Sequence, residues 1–126
     1  MSGLRPFSLG APHTELRRQL VAAVLRGEKV ATAGLFEEYK AEGVLPAPVG
    51  TRCALLGYDD EPVAVVEVTE SRVVPAAEID EQFARDEGEG FETVDAWREA
   101  HEDFFERPIE PETEIVAVRF RVVEQL

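Results

Sequence analysis

The tightest constraint in the sequence lies between Thr51 and Val74. Two apolar, β-branched runs, Thr51–Leu56 and Pro62–Val74, flank the polar segment Gly57-Tyr58-Asp59-Asp60-Glu61. Branching at Cβ stiffens a side chain and favours extended backbone over helix. A polar break opened by glycine between two such runs reads as a β-hairpin. Side chains alternate across a strand, so Val63 and Val65 share a side with Glu67, while Ala64, Val66 and Val68 share the other. The chain closes on a second alternation over Glu114–Glu124, where Val116, Val118, Phe120 and Val122 interleave with Ala117, Arg119 and Arg121, again as in a strand.

Elsewhere the period changes to that of a helix. Over His13–Arg26 apolar residues recur at helical spacing, with Thr14 placed to cap the start and Gly27 the end. Lys29–Ala33 is short and β-branched, Leu35–Glu42 reads as a brief helix stopped by Gly43, and Pro46, Pro48 and Gly50 mark a loop. Asp80–Asp86 and Thr93–Arg107 read as helices. In the latter, Trp97, His101, Phe104 and Phe105 fall on one stripe, which is expected to face the core. Helices and antiparallel strands are segregated along the chain, so the fold class is α+β. A length of 126 residues with 44% hydrophobic residues fits a single domain, residues 1–126, able to bury a core without metal or disulfide.

Thirteen basic residues against 26 acidic ones give a net charge of −13, a field that repels phosphate, anionic lipid and acidic substrates. DNA and membrane partners are not expected, although a local basic pocket can still hold one nucleotide or a short RNA segment. The lone Cys53, beside Ala54, Leu55 and Leu56, is expected as a buried strand residue in a reducing compartment. The first ten residues carry no signal-like apolar run, so a soluble, cytoplasmic chain is expected. With no His-rich or Cys-rich cluster, zinc chemistry is excluded, and no cofactor is implied.

Four groups of residues carry candidate chemistry. Gly27-Glu28-Lys29-Val30-Ala31-Thr32 sets an amine and a hydroxyl three residues apart after a helix stop. A buried lysine can act as base toward a threonine hydroxyl, and the spacing equally fits a solvated lysine beside a structural threonine. In a regular strand those positions face opposite sides, so one pocket takes both only where the backbone turns. Glu67 sits among valines and needs a cationic partner, for which Arg119 and Arg121 are placed. Asp86, Glu87 and Glu89, interleaved with Gly88 and Gly90, resemble a metal loop in composition only, and Glu87, at a helix end before a glycine, is placed either in a solvated acidic turn or to project into a cleft as a general acid. His101 is read as a hydrogen-bonded core residue and His13 as exposed.

Taken together, several short motifs are familiar: Gly27-x-Lys29-x-x-Thr32, Glu37-x-Tyr39, Pro48-Val49-Gly50 and Val65-Val66-Glu67-Val68-Thr69. Phe83-Ala84-x-x-Glu87-Gly88, Trp97-Arg98-x-Ala100-His101-x-x-Phe104-Phe105 and Arg119-Phe120-Arg121-Val122-Val123 complete the pattern. Their order and spacing over residues 7–124 resemble the ASCH domain family. The resemblance implies a PUA-like fold, a small antiparallel β-barrel with surrounding helices, and a cleft lined by the Gly-x-Lys-x-x-Thr segment. It also implies recognition of RNA or a modified nucleoside.

Small bacterial members of that family are acetylcytidine amidohydrolases. By that resemblance Thr32 attacks the acetyl carbonyl, Lys29 serves as its base, and Glu87 handles the proton of the leaving amine. The segment Leu35–Val49 is longer than in those enzymes and is similar to a longer subgroup to which activity on single-stranded RNA has been attributed. A non-catalytic RNA-binding module and a ribonuclease are therefore the alternative expectations. Phe36, Tyr39, Glu67, Arg119 and Arg121 are the expected substrate-binding residues, with Trp97 a further stacking platform. Arg5, Lys29, Lys40, Arg52, Arg119 and Arg121 are available to build a basic cleft.

Overall fold

A computed structural model describes residues 4–126. Helix α1, Glu15–Leu25, is capped by the Thr14 side chain, which accepts from the Arg17 N–H. This satisfies one of the free amides of the first turn. Helix α2, Phe36–Glu42, ends where Gly43 turns left-handed at φ 68°, the conformation that a glycine adopts without steric cost. Helices α3, Glu81–Asp86, and α4, Val94–Phe105, start at Asp80 and Thr93, whose side chains accept from the amides of Phe83 and Ala96. The strands are β1, Arg5–Phe7; β2, Ala31–Leu35; β3, Arg52–Leu56; β4, Pro62–Pro75; and β5, Glu114–Gln125. A single 3₁₀ turn at Ala76–Glu78 follows β4. The expected hairpin is β3–β4, and the closing strand is β5. Strand β1 was not expected, because three residues containing a proline leave no periodicity to read.

The five strands form one mixed sheet in the order β1-β3-β4-β5-β2. Strand β1 runs parallel to β3, and the other neighbours are antiparallel. Among the described residues no ladder joins β1 to β2. The α+β class holds, but the sheet is open rather than closed into the expected antiparallel barrel. Both edge strands nevertheless line one cavity together with Cys53, Val68, Val116 and Val118 of the inner strands. The sheet therefore curls, and the cavity lies against its concave face.

Both faces of the central strands are covered. On β5, Val116, Val118 and Phe120 pack with α1 residues Val21 and Val24, while Ile115 and Ala117 pack on the other face with Phe83 of α3 and Trp97 of α4. Alternation along one strand thus serves two apolar clusters. The α4 stripe divides: Trp97 and His101 are buried, whereas Phe104 is more than half exposed. Cys53 is buried and unpaired, and His13 is exposed, as expected. Among the described residues no helix is long and apolar enough to cross a membrane.

Candidate active site

Lys29 stands in the turn between α1 and β2. Gly27 turns at φ 81°, the Glu28 and Lys29 amides fold back onto the Ala23 carbonyl at 3.0 and 3.1 Å, and regular strand begins only at Ala31. The opposition of i and i+3 along a strand therefore does not apply. Lys29 and Thr32 line the same cavity, of about 560 Å³. The Lys29 side chain is almost wholly buried. Its Nζ donates to the Ala31 carbonyl at 2.8 Å, the Glu87 carbonyl at 3.2 Å, Glu87 Oε1 at 3.4 Å and Glu89 Oε2 at 3.0 Å. An ammonium has three protons to give, and here it faces four oxygens, two of them on carboxylates.

Gly88 makes this contact possible. It sits at φ 68°, and a Cβ there would lie 2.4 Å from the Glu28 carbonyl oxygen and 2.7 Å from Lys29 Cα. Only a glycine lets the end of α3 approach the turn this closely. The Val30 amide donating to the Asp86 carbonyl at 2.8 Å fastens the two segments. Glu87, at the end of α3, is thus carried to Lys29.

Glu87 is as buried as Lys29. Its Oε2 accepts from the Trp97 indole Nε1 and lies 3.4 Å from His101 Nε2, and His101 Nδ1 pairs with the Trp97 carbonyl at 2.8 Å. Burial alone would push the Glu87 carboxyl up. The hydrogen bond and charge of His101, the Lys29 ammonium and the Trp97 indole outweigh it, and Glu87 is held below the ordinary carboxylate range. For His101, burial works against the proton, but the hydrogen bond and charge of Glu87 and the Trp97 carbonyl win and raise it. The floor of the cavity is therefore a lysine and a histidine alternating with two carboxylates, sealed by an indole. Among the described residues no group of three or more His, Cys, Asp or Glu side chains is arranged to hold a metal ion.

Lys29, Thr32 and Glu87 line the cavity together, and Tyr39, packed beside Gly34, lines it with them. The other candidates lie off it. Phe36 packs against the core beneath the Lys40 ammonium. Glu67 pairs with Arg52 at 3.7 Å and Arg121 at 3.4 Å. Arg119 is tied to Glu70 and Asp86 and lies over the Phe83 ring. The reason is a bulge: the β4 register shifts between Val68 and Glu70, so Arg121 stands opposite Glu67 and Arg119 opposite Glu70. Trp97 is fully buried, and its Nε1–H is spent on Glu87. Of the six cations available for a basic cleft, only Arg5 and Lys29 line the cavity.

Two members of the floor were missed by sequence reasoning. Glu89 carried a signal, since a glutamate on each side of a left-handed glycine presents two carboxylates to one point. His101 carried less, because four residues after Trp97 on an apolar helix a histidine looks the same whether it bonds to backbone alone or to a buried acid as well.

The family model for the ASCH domain matches residues 7–124, so the chain belongs to the ASCH domain family. Among solved structures, it is similar to protein EF3133 of Enterococcus faecalis V583, grouped under DUF984, at 26% identity and a TM-score of 0.86. That match covers 99% of this chain and 79% of the other. It is also similar to an ASCH domain from Lactobacillus crispatus JV V101, at 26% identity and a TM-score of 0.81, covering 97% of this chain and 80% of that one. No curated protein matches the sequence.

Proposed function

We propose that this ASCH domain takes the base of a modified nucleoside into the Lys29 cavity and hydrolyses an amide on it, such as that of acetylcytidine. One observation carries the reading: Lys29, Thr32 and Glu87 share the wall of one cavity, with the amine and the carboxylate buried and in contact. In the reaction Lys29 passes a proton to Glu89 and takes the Thr32 hydroxyl proton as Oγ1 bonds to the acyl carbon. The carbon–nitrogen bond then breaks, and Lys29 returns that proton to the exocyclic nitrogen, which leaves as the amine. Water attacks the acyl-Thr32 ester with Lys29 as its base. Thr32 recovers the proton, the free acid departs, and Glu89 gives its proton back to Lys29. Glu87 stays ionised throughout, holding Lys29 in place, so the leaving-group proton comes from Lys29 rather than from Glu87.

A single nucleoside fits better than an RNA strand. Arg52, Arg119, Arg121 and Lys40 each already face a carboxylate, leaving no basic track for a backbone. The test is mass-spectrometric turnover of acylated cytidines and a short single-stranded RNA by wild type, Lys29→Ala and Thr32→Ala. Wild type is expected to release cytidine, and each substitution to slow release about a thousandfold. Intact nucleosides together with steeply salt-dependent RNA binding would instead make the domain a non-catalytic RNA-binding module, and cleaved oligonucleotide would make it a ribonuclease.

A further inference from the structure

With 26 acids to 13 lysines and arginines, every cation has an abundant choice of partners. Among the described residues, twelve of the thirteen have a carboxylate within 4.0 Å. The exception is Arg5. Its place makes the exception informative: Arg5 lies on β1, the edge strand that closes one side of the cavity, and contributes to the wall where a second, more open hollow shares Ser8 and Tyr39 with it. Its Nη2 donates to the Leu45 carbonyl at 2.7 Å, which fixes the plane of the guanidinium. Arginine carries five N–H donors, so most of them stay available in the wall of a pocket whose floor is already neutralised.

We propose that Arg5 is a phosphate subsite of the cavity, and that the preferred ligand is a nucleoside monophosphate rather than a free nucleoside. The inference rests on the base-binding reading above. A planar, pre-oriented guanidinium matches two phosphate oxygens at once. Glu38 and Glu42 line the same hollow and oppose a run of phosphates. One unpaired cation among acids therefore selects one phosphate, and not a strand.

Isothermal titration of wild type, Arg5→Ala and Arg5→Lys with cytidine and with cytidine 5′-monophosphate tests this. Wild type is expected to bind the monophosphate about tenfold more tightly than cytidine. A double-logarithmic plot of affinity against salt should have a slope near one. Arg5→Ala should bring the monophosphate down to the cytidine value and leave cytidine unchanged, while Arg5→Lys keeps part of the preference. Equal binding of both ligands by wild type overturns the phosphate subsite and leaves the base-binding reading standing. A drop for both ligands alike in Arg5→Ala assigns Arg5 to the fold and overturns the subsite. Binding of neither ligand overturns both readings.

Discussion

Among the described residues one arginine and one lysine are buried, Arg17 and Lys29, and their surroundings differ in kind. Arg17, on α1, gives its guanidinium protons to the carbonyls of Leu9 at 3.3 Å, Gly57 at 3.1 Å and Gly10 at 2.8 Å, and to the half-exposed carboxylate of Asp60. Each partner belongs to a loop, so Arg17 ties the segment after β1 and the β3–β4 turn to α1. Lys29 faces two carboxylates and lines a cavity. The first arrangement is satisfied by backbone and holds chain segments together. The second gathers titratable groups where a ligand can reach them, an arrangement that a purely structural role does not require. Buried ion pairs add little net stability against a well-packed apolar replacement, whereas breaking one is costly. The Arg17 knot and the Lys29 cluster should therefore answer substitution in different ways.

The largest effect on folding is expected at the knot. Arg17→Ala takes a donor from the Leu9, Gly10 and Gly57 carbonyls, of which Gly57 keeps the Asp60 amide, strands the knot's loops, and should lower stability by about 4 kcal/mol in urea denaturation. Next comes Gly88→Ala, which meets both a left-handed backbone and contacts under 3.0 Å. It should cost about 3 kcal/mol and push Glu87 away from Lys29, lowering turnover as well as the melting temperature. Lys29→Met alone strands the Glu87 carboxylate. Lys29→Met with Glu87→Gln removes both charges and should fold at least as well as wild type by thermal melting, with no turnover.

Smaller effects follow from pH and from the surface. Glu87 lies below its ordinary value of 4.5 in the folded protein, so its contribution is complete above 4.5 and is lost as pH falls through the folded value. His101 lies above 6.5, so its contribution is complete below 6.5 and is lost as pH rises through its folded value. The pair therefore contributes most between pH 4.5 and 6.5. In Glu87→Gln, both the acid limb and the alkaline limb of the melting profile should flatten. Arg121→Ala, on an exposed pair with Glu67, should change stability by about 0.5 kcal/mol or less.

How much of this was legible differs between the two regions. The Lys29 turn was legible through the family resemblance, whose motifs match the glycine stop, Lys29, Thr32 and the Glu87-Gly88 pair, whereas the spacing by itself fits a solvated lysine and an acidic turn equally. The elements followed from capping and alternation, from Thr14 through the β3–β4 hairpin. Arg17 showed no sign of its role, because an arginine in a helix reads as solvated until the loops around it are in place. The β4 bulge was equally hidden. One extra residue at Thr69 redirects Arg119 to Glu70, and nothing in the spacing of valines announces it. The open sheet belongs with these, since closure depends on an edge strand of three residues.

The central claim is that the Lys29 cluster exists for chemistry while the Arg17 knot exists for the fold. The measurement that tests it most directly is cytidine release from acetylcytidine by wild type and by the Lys29→Met, Glu87→Gln double variant, each with its melting temperature recorded. The account predicts a double variant that melts at or above wild type and releases no cytidine. Release at the wild-type rate, or a double variant that fails to fold, would contradict it.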